Sequence, residues 1–189
     1  MKTKQYAALA IIAMAAGAFL ALNPPAQSAA GKSYKLEGAW TASVPGTPVH
    51  WSYVIAPTDP SGKTAVVKGE FVVPIPTAFM FPELADQEYV TEFYGEAEMV
   101  GNDTVKFTIM WYGMKSDVPF PQIVNIGVDV GEARFVAQDK LEFTSRMAWY
   151  LPNETGIVTA DDTPFLVYPD VVRSIDTRMS IIPASALAR

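Results

Sequence analysis

The chain has 189 residues, no cysteine and one histidine, and its 14 basic against 20 acidic side chains give a net charge of −6. Without cysteine there are no disulfides, thiolate metal sites or thiol catalysis, and a lone histidine leaves no ordinary zinc site. The acidic balance repels phosphate backbones, so no nucleic-acid partner is expected.

Residues 1–30 read as a secretory signal peptide rather than as part of the fold. Lys2 and Lys4 supply a positive start, Ala7 to Leu22 carry no charge, and Asn23-Pro24-Pro25 stop any helix. Small residues follow at Ala26, Ser28, Ala29 and Ala30, a cleavage pattern that places the mature N-terminus between Ala29 and Gly31. The apolar run is shorter than the ~20 residues that span a bilayer comfortably. The expected product, residues 31–189, is one exported domain, periplasmic or extracellular, and two lysines more acidic than the precursor.

Strand periodicity dominates the rest. Over 34–44, Tyr34, Leu36, Gly38, Trp40, Ala42 and Val44 alternate with a more polar row, which predicts a half-buried strand. His50–Ile55 and Thr64–Val73 are the next strand candidates. Proline-flanked residues 74–87 form the least regular stretch and hold Phe79, Met80 and Phe81 outside any alternating pattern. Residues 92–99 alternate again, with Glu92, Tyr94, Glu96 and Glu98 on the solvent side. The turn Gly101-Asn102-Asp103 leads into Thr104–Lys115. That segment puts Phe107, Ile109 and Trp111 on one face and Met110, Tyr112 and Met114 on the other. Ile123–Val130, a short separate strand at Arg134–Ala137, the stripe Leu141 to Leu151, and Val171–Ile182 complete the set. Pro57, Pro60, Pro82, Pro119, Pro121, Pro152 and Pro164 all fall between strands, where they interrupt no ladder. About eight to nine short strands without an amphipathic helix predict an all-β fold, an antiparallel up-and-down barrel, with a β-sandwich as the alternative.

The opening LEGAW (36–40) resembles the first strand of lipocalin-like (calycin) domains. The segment YGEAEMVGNDTVKFTIMW (94–111) is similar to a strand-turn-strand unit of bacterial secreted members, and Gly131, Arg134 and LEFTS (141–145) extend the likeness. The resemblance implies that Gly38 and Trp40 are structural, with Trp40 packed across the closed end of a barrel. It also implies that the open end takes a small apolar ligand.

Catalytic signals are sparse. His50 has no G-x-S-x-G partner, Glu92, Glu96 and Glu98 share a solvent face, and Asp161-Asp162 lacks the spacing of a calcium loop. No catalytic residue, metal ligand or cofactor is assigned. An outer-membrane barrel fits poorly because charges interrupt both faces of several strands. The expected function is binding of a hydrophobic small molecule, with Phe79, Met80 and Phe81 folding over the barrel mouth and Trp111 or Tyr112 lining the space beneath. The alternatives are a non-catalytic β-sandwich acting through its surface in the envelope, and a barrel enzyme using carboxylate or tyrosine chemistry on a small apolar substrate.

Overall fold

A computed structural model describes residues 34–72, 81–117 and 119–180. The expected signal segment and cleavage site lie outside these residues, as do Phe79 and Met80. The strands are β1 (Gly38–Ser43), β2 (His50–Pro57), β3 (Thr64–Phe71), β4 (Tyr89–Val90), β5 (Phe93–Met99), β6 (Thr104–Lys115), β7 (Gln122–Ala137), β8 (Lys140–Tyr150), β9 (Leu166–Val167) and β10 (Val172–Arg178). All pairings are antiparallel. They run β1-β2-β3-β5-β6-β7-β8-β10, and β10 returns to β1, so the sheet closes. The result is the expected all-β, antiparallel barrel of eight strands, with two short strands added.

The two short strands are continuations of others. β4 pairs with the far end of β6 beyond the stretch held by β5, and β9 pairs with β8 beyond the stretch held by β10. Among the described residues closure leaves no long free edge, which removes the template for edge-to-edge aggregation.

Arg134–Ala137 is not a separate strand. β7 runs unbroken through Gly131, because glycine there lets the ladder curve tightly. A Cβ at Gly131 would lie 2.2 Å from the Thr144 carbonyl oxygen. Such glycines are how a strongly coiled barrel turns its corners without losing register.

The core is the barrel interior. In an antiparallel ladder, directly opposed residues share a face, so the register identifies which side chains point inward. Trp40, Tyr53, Ile55, Val67, Phe93, Phe107, Ile109, Trp111, Phe135, Leu141 and Trp149 are all buried. Glu96 and Glu98 face solvent, as do Tyr94 and Glu92. β7 inverts the rule that apolar faces point inward. Its inward row is Asn125, Gly127, Asp129, Gly131 and Ala133, and its aliphatic row of Ile126, Val128 and Val130 points outward. Two inward tryptophans require this: Trp111 and Trp149 flank Gly127 in register, and a Cβ at Gly127 would sit 2.2 Å from the Trp111 indole. The outer row is partly covered instead. Ile126 is fully buried between Tyr112 and Tyr150 in register, and the link after β8 returns over this face, where the Tyr112 hydroxyl donates to the Gly156 carbonyl at 3.0 Å.

Candidate functional site

One end of the barrel is shut by an aromatic stack. Tyr34 stacks on Phe135 at 4.7 Å, and Trp40, with no exposed surface, meets Phe135 edge-on at 6.0 Å. The Trp40 indole N–H donates to the Leu36 carbonyl at 3.3 Å. Arg178, its partner in register on β10, lays its guanidinium over the ring at 4.5 Å and donates to the carbonyls of Glu37 and Lys35. Gly38 is required at this spot. Its φ of 137° is one that side-chain-bearing residues rarely adopt, and a Cβ would lie 2.8 Å from Arg178 Nη1.

The opposite end holds a second aromatic group. Phe71 meets Trp111 at 5.4 Å, Trp111 meets Trp149 at 6.4 Å, and Phe81 packs against Trp149 at 5.1 Å and Tyr168 at 5.5 Å. Phe81 reaches this position just before a single 3-10 turn at Pro82–Leu84, whose Leu84 is buried. Trp111 therefore points into the interior. Tyr112, one residue on, points outward and is held by Gly156.

Between the two ends lies a cavity of about 30 Å³ whose walls include Tyr53, Ile55, Phe93, Phe107, Phe143 and Asp176. It has room for about two waters. Phe107 and Phe143 stack beside it with centroids 3.8 Å apart. A larger concavity of about 750 Å³ lies across the outside of β3, β5, β6 and β7, walled by residues such as Val66, Glu96, Thr108 and Val130. It is an open saddle whose polar side chains are exposed to water, so the interior is the better candidate for specific recognition.

The interior also holds two carboxyl groups that strand alternation did not single out. Asp176 has no exposed surface, and it accepts from the Tyr53 hydroxyl at 2.5 Å and the Ser174 hydroxyl at 2.6 Å. Burial pushes its carboxyl up to about 6, partly offset by the Ser174 and Tyr53 hydroxyls. The same burial, with the neighbouring Asp176 charge, raises Tyr53 well above its ordinary value. Asp129 faces inward from β7 between Ile109 and Met147 in register. Burial pushes it up to about 7 against weaker opposing pulls from the Ser145 hydroxyl and the Val130 N–H. Its Oδ1 and the Ser145 Oγ have no well-formed hydrogen bond, nor does the Asn125 Oδ1 further along the row. For Asp129 the available signal was a charge set between Val128 and Val130, whereas β10, with Arg173, Ser174, Thr177 and Arg178 beside Asp176, offered none.

The remaining polar candidates stay outside. His50 is exposed and bonds through its ring to the Pro48 carbonyl at 3.0 Å. Glu92 pairs with Lys68 at 2.7 Å on the surface. Asp162 is a turn residue that accepts from the Thr159 N–H and hydroxyl. Among the described residues no cluster of three or more His, Asp or Glu is arranged to hold a metal, and no helix is long and apolar enough to cross a membrane.

The molecule is thus a closed, aromatic-cored antiparallel barrel with a small carboxyl-walled cavity. No protein-family model matches the chain, and no curated protein matches it. Among solved structures it is similar to EF1p2_mFAP2b bound to DFHBI, at 11% identity and a TM-score of 0.45, over 76% of this chain and 94% of that one.

Proposed function

We propose that this protein is an exported, lipocalin-like barrel that binds a small hydrophobic molecule in its interior, without a cofactor. One observation carries the reading: the barrel contains an aromatic-walled cavity with a single carboxyl group in its wall. Small-molecule sites combine apolar walls with a few placed polar groups in this way. The fully buried Trp40 supports a plugged end, while Phe81, Trp111 and Trp149 pack together at the other end and do not wall the cavity. The Lys2/Lys4 start and the uncharged Ala7–Leu22 run support export to the periplasm or beyond.

The cavity volume limits the ligand. A ring does not fit in about 30 Å³, so a ring-bearing ligand requires wall side chains to move. The same tight packing favours a second reading, a barrel filled by its own side chains that acts through its surface in the envelope. Barrels of about eight strands come in both kinds. Native mass spectrometry of the protein purified from its own envelope separates the two. A co-purifying small molecule that is lost on denaturation supports the first. A bare mass, together with no quenching of tryptophan fluorescence by any apolar probe, leaves only the second.

A further inference from the structure

Asp176 is a carboxyl group without a cation. Its neighbours across the ladders are Ala42 and Leu141, and its two hydrogen-bond donors, Tyr53 and Ser174, are neutral hydroxyls. None of the ion pairs found among the described residues involves it. The nearest basic residue along its row, Arg178, is committed to two backbone carbonyls and the Trp40 ring. A buried carboxylate is costly without a partner charge, and an alanine or valine would fill the position at no such cost. The same carboxyl lines a cavity whose other walls include the rings of Tyr53, Phe93, Phe107 and Phe143.

We propose that the cavity recognises a basic nitrogen: the ligand is a small amine whose ammonium group sits against Asp176 and the surrounding aromatic walls, with its apolar body extending along the barrel axis. This rests on the interior-binding reading above and adds the chemical class of the ligand. The requirements of the ammonium head group are met, while the apolar body needs the same movement of wall side chains that a ring does. An ammonium is about as large as a water, the scale of a cavity of about 30 Å³. It supplies N–H donors, and each Asp176 oxygen, already accepting one hydroxyl, has a second lone pair to offer. Aromatic faces attract cations, most strongly where water is excluded. The two hydroxyls orient the carboxylate before the ligand arrives, as preorganised sites do. Asp129, by contrast, is not among the residues that wall this cavity, so it is a control rather than a contact.

Three eight-carbon probes that differ only in the head group test the proposal: octylamine, octanol and octanoate. Their affinities are measured by calorimetry on the mature protein at pH 7.5. The expected order is octylamine tenfold or more above octanol, with octanoate weakest. Asp176→Asn should lower octylamine affinity tenfold or more and leave octanol within about twofold, while Asp129→Asn keeps the amine preference. Equal binding of amine and alcohol would overturn the amine assignment and leave interior binding standing. No binding of any probe would remove both. Should Asp176→Asn not fold, carbon-13 titration of the Asp176 carboxyl in the unaltered protein decides. Its pKa must fall when octylamine is present and stay put with octanol; an unchanged value with bound amine refutes the contact.

Discussion

The two interior carboxyl groups should make this protein lose stability as pH rises from 5 to 8, opposite to the trend that paired surface carboxylates give. Asp129 is held up to about 7 and Asp176 to about 6, whereas an aspartate in an unfolded chain titrates near 3.9. The folded state therefore binds more protons than the unfolded state between those values, and stability falls with pH wherever that holds. The contribution of these two groups is largest below about pH 4, where both states are protonated, and is lost by about pH 7. At about 1.4 kcal/mol per pH unit, Asp129 accounts for a loss of about 3 kcal/mol from pH 5 to 7, and Asp176 for about 1.5 kcal/mol from pH 5 to 6. Together that is a large part of the ~5–15 kcal/mol that holds a domain folded. The carboxyls whose values are lowered, Asp59, Glu88 and Asp162, are exposed and act at lower pH, so they do not mask the effect. Urea titrations at pH 5, 6, 7 and 8 measure it. Asp129→Asn should remove about 3 kcal/mol of the decline and leave the smaller Asp176 part. A stability that is flat or rising over this range, or an Asp129→Asn profile parallel to that of the unaltered protein, would refute the assignment of Asp129 as an uncompensated interior acid.

Trp40→Ala should cost about 3–5 kcal/mol in urea titration, the range for truncating a buried large aromatic; a loss below about 1 kcal/mol would mean that the end plug is dispensable. Gly127→Ala should destabilise by at least about 1–3 kcal/mol, the overpacking range, because its methyl group would enter the Trp111 indole, and the change should appear in the tryptophan fluorescence of the folded state. Tyr112→Phe should lose only about 0.5–1.5 kcal/mol, one hydrogen bond to Gly156, and leave probe binding intact because the ring lies on the outer face. N-terminal sequencing of the exported protein should begin between Ala29 and Gly31; an intact Met1 would contradict cleavage.

Period-two alternation was sufficient to show an all-β chain, most strand positions and the outward face of residues 92–99, because a strand that buries one face repeats every two residues whatever it packs against. The range Thr104–Lys115 and the inward placement of Phe107, Ile109 and Trp111 follow from that local rule together with the side on which the barrel closes. β7 shows where the rule stops. Its aliphatic row alone would point inward, yet Asn125, Gly127 and Asp129 occupy the interior. Trp111 and Trp149, on the two neighbouring strands, fill the space, and the link around Gly156 returns over the outer face at Tyr112. No property of residues 122–137 encodes the volume of side chains on β6 and β8. The cavity has the same origin. Tyr53 and Asp176 stand 123 residues apart, and they meet only because β10 returns to pair with β1. The sequence by itself determined the strands and their spacing, since those depend on local side-chain periodicity and turn residues. Ring closure decided which face is interior and which polar groups share it, since both depend on what distant strands place opposite each residue.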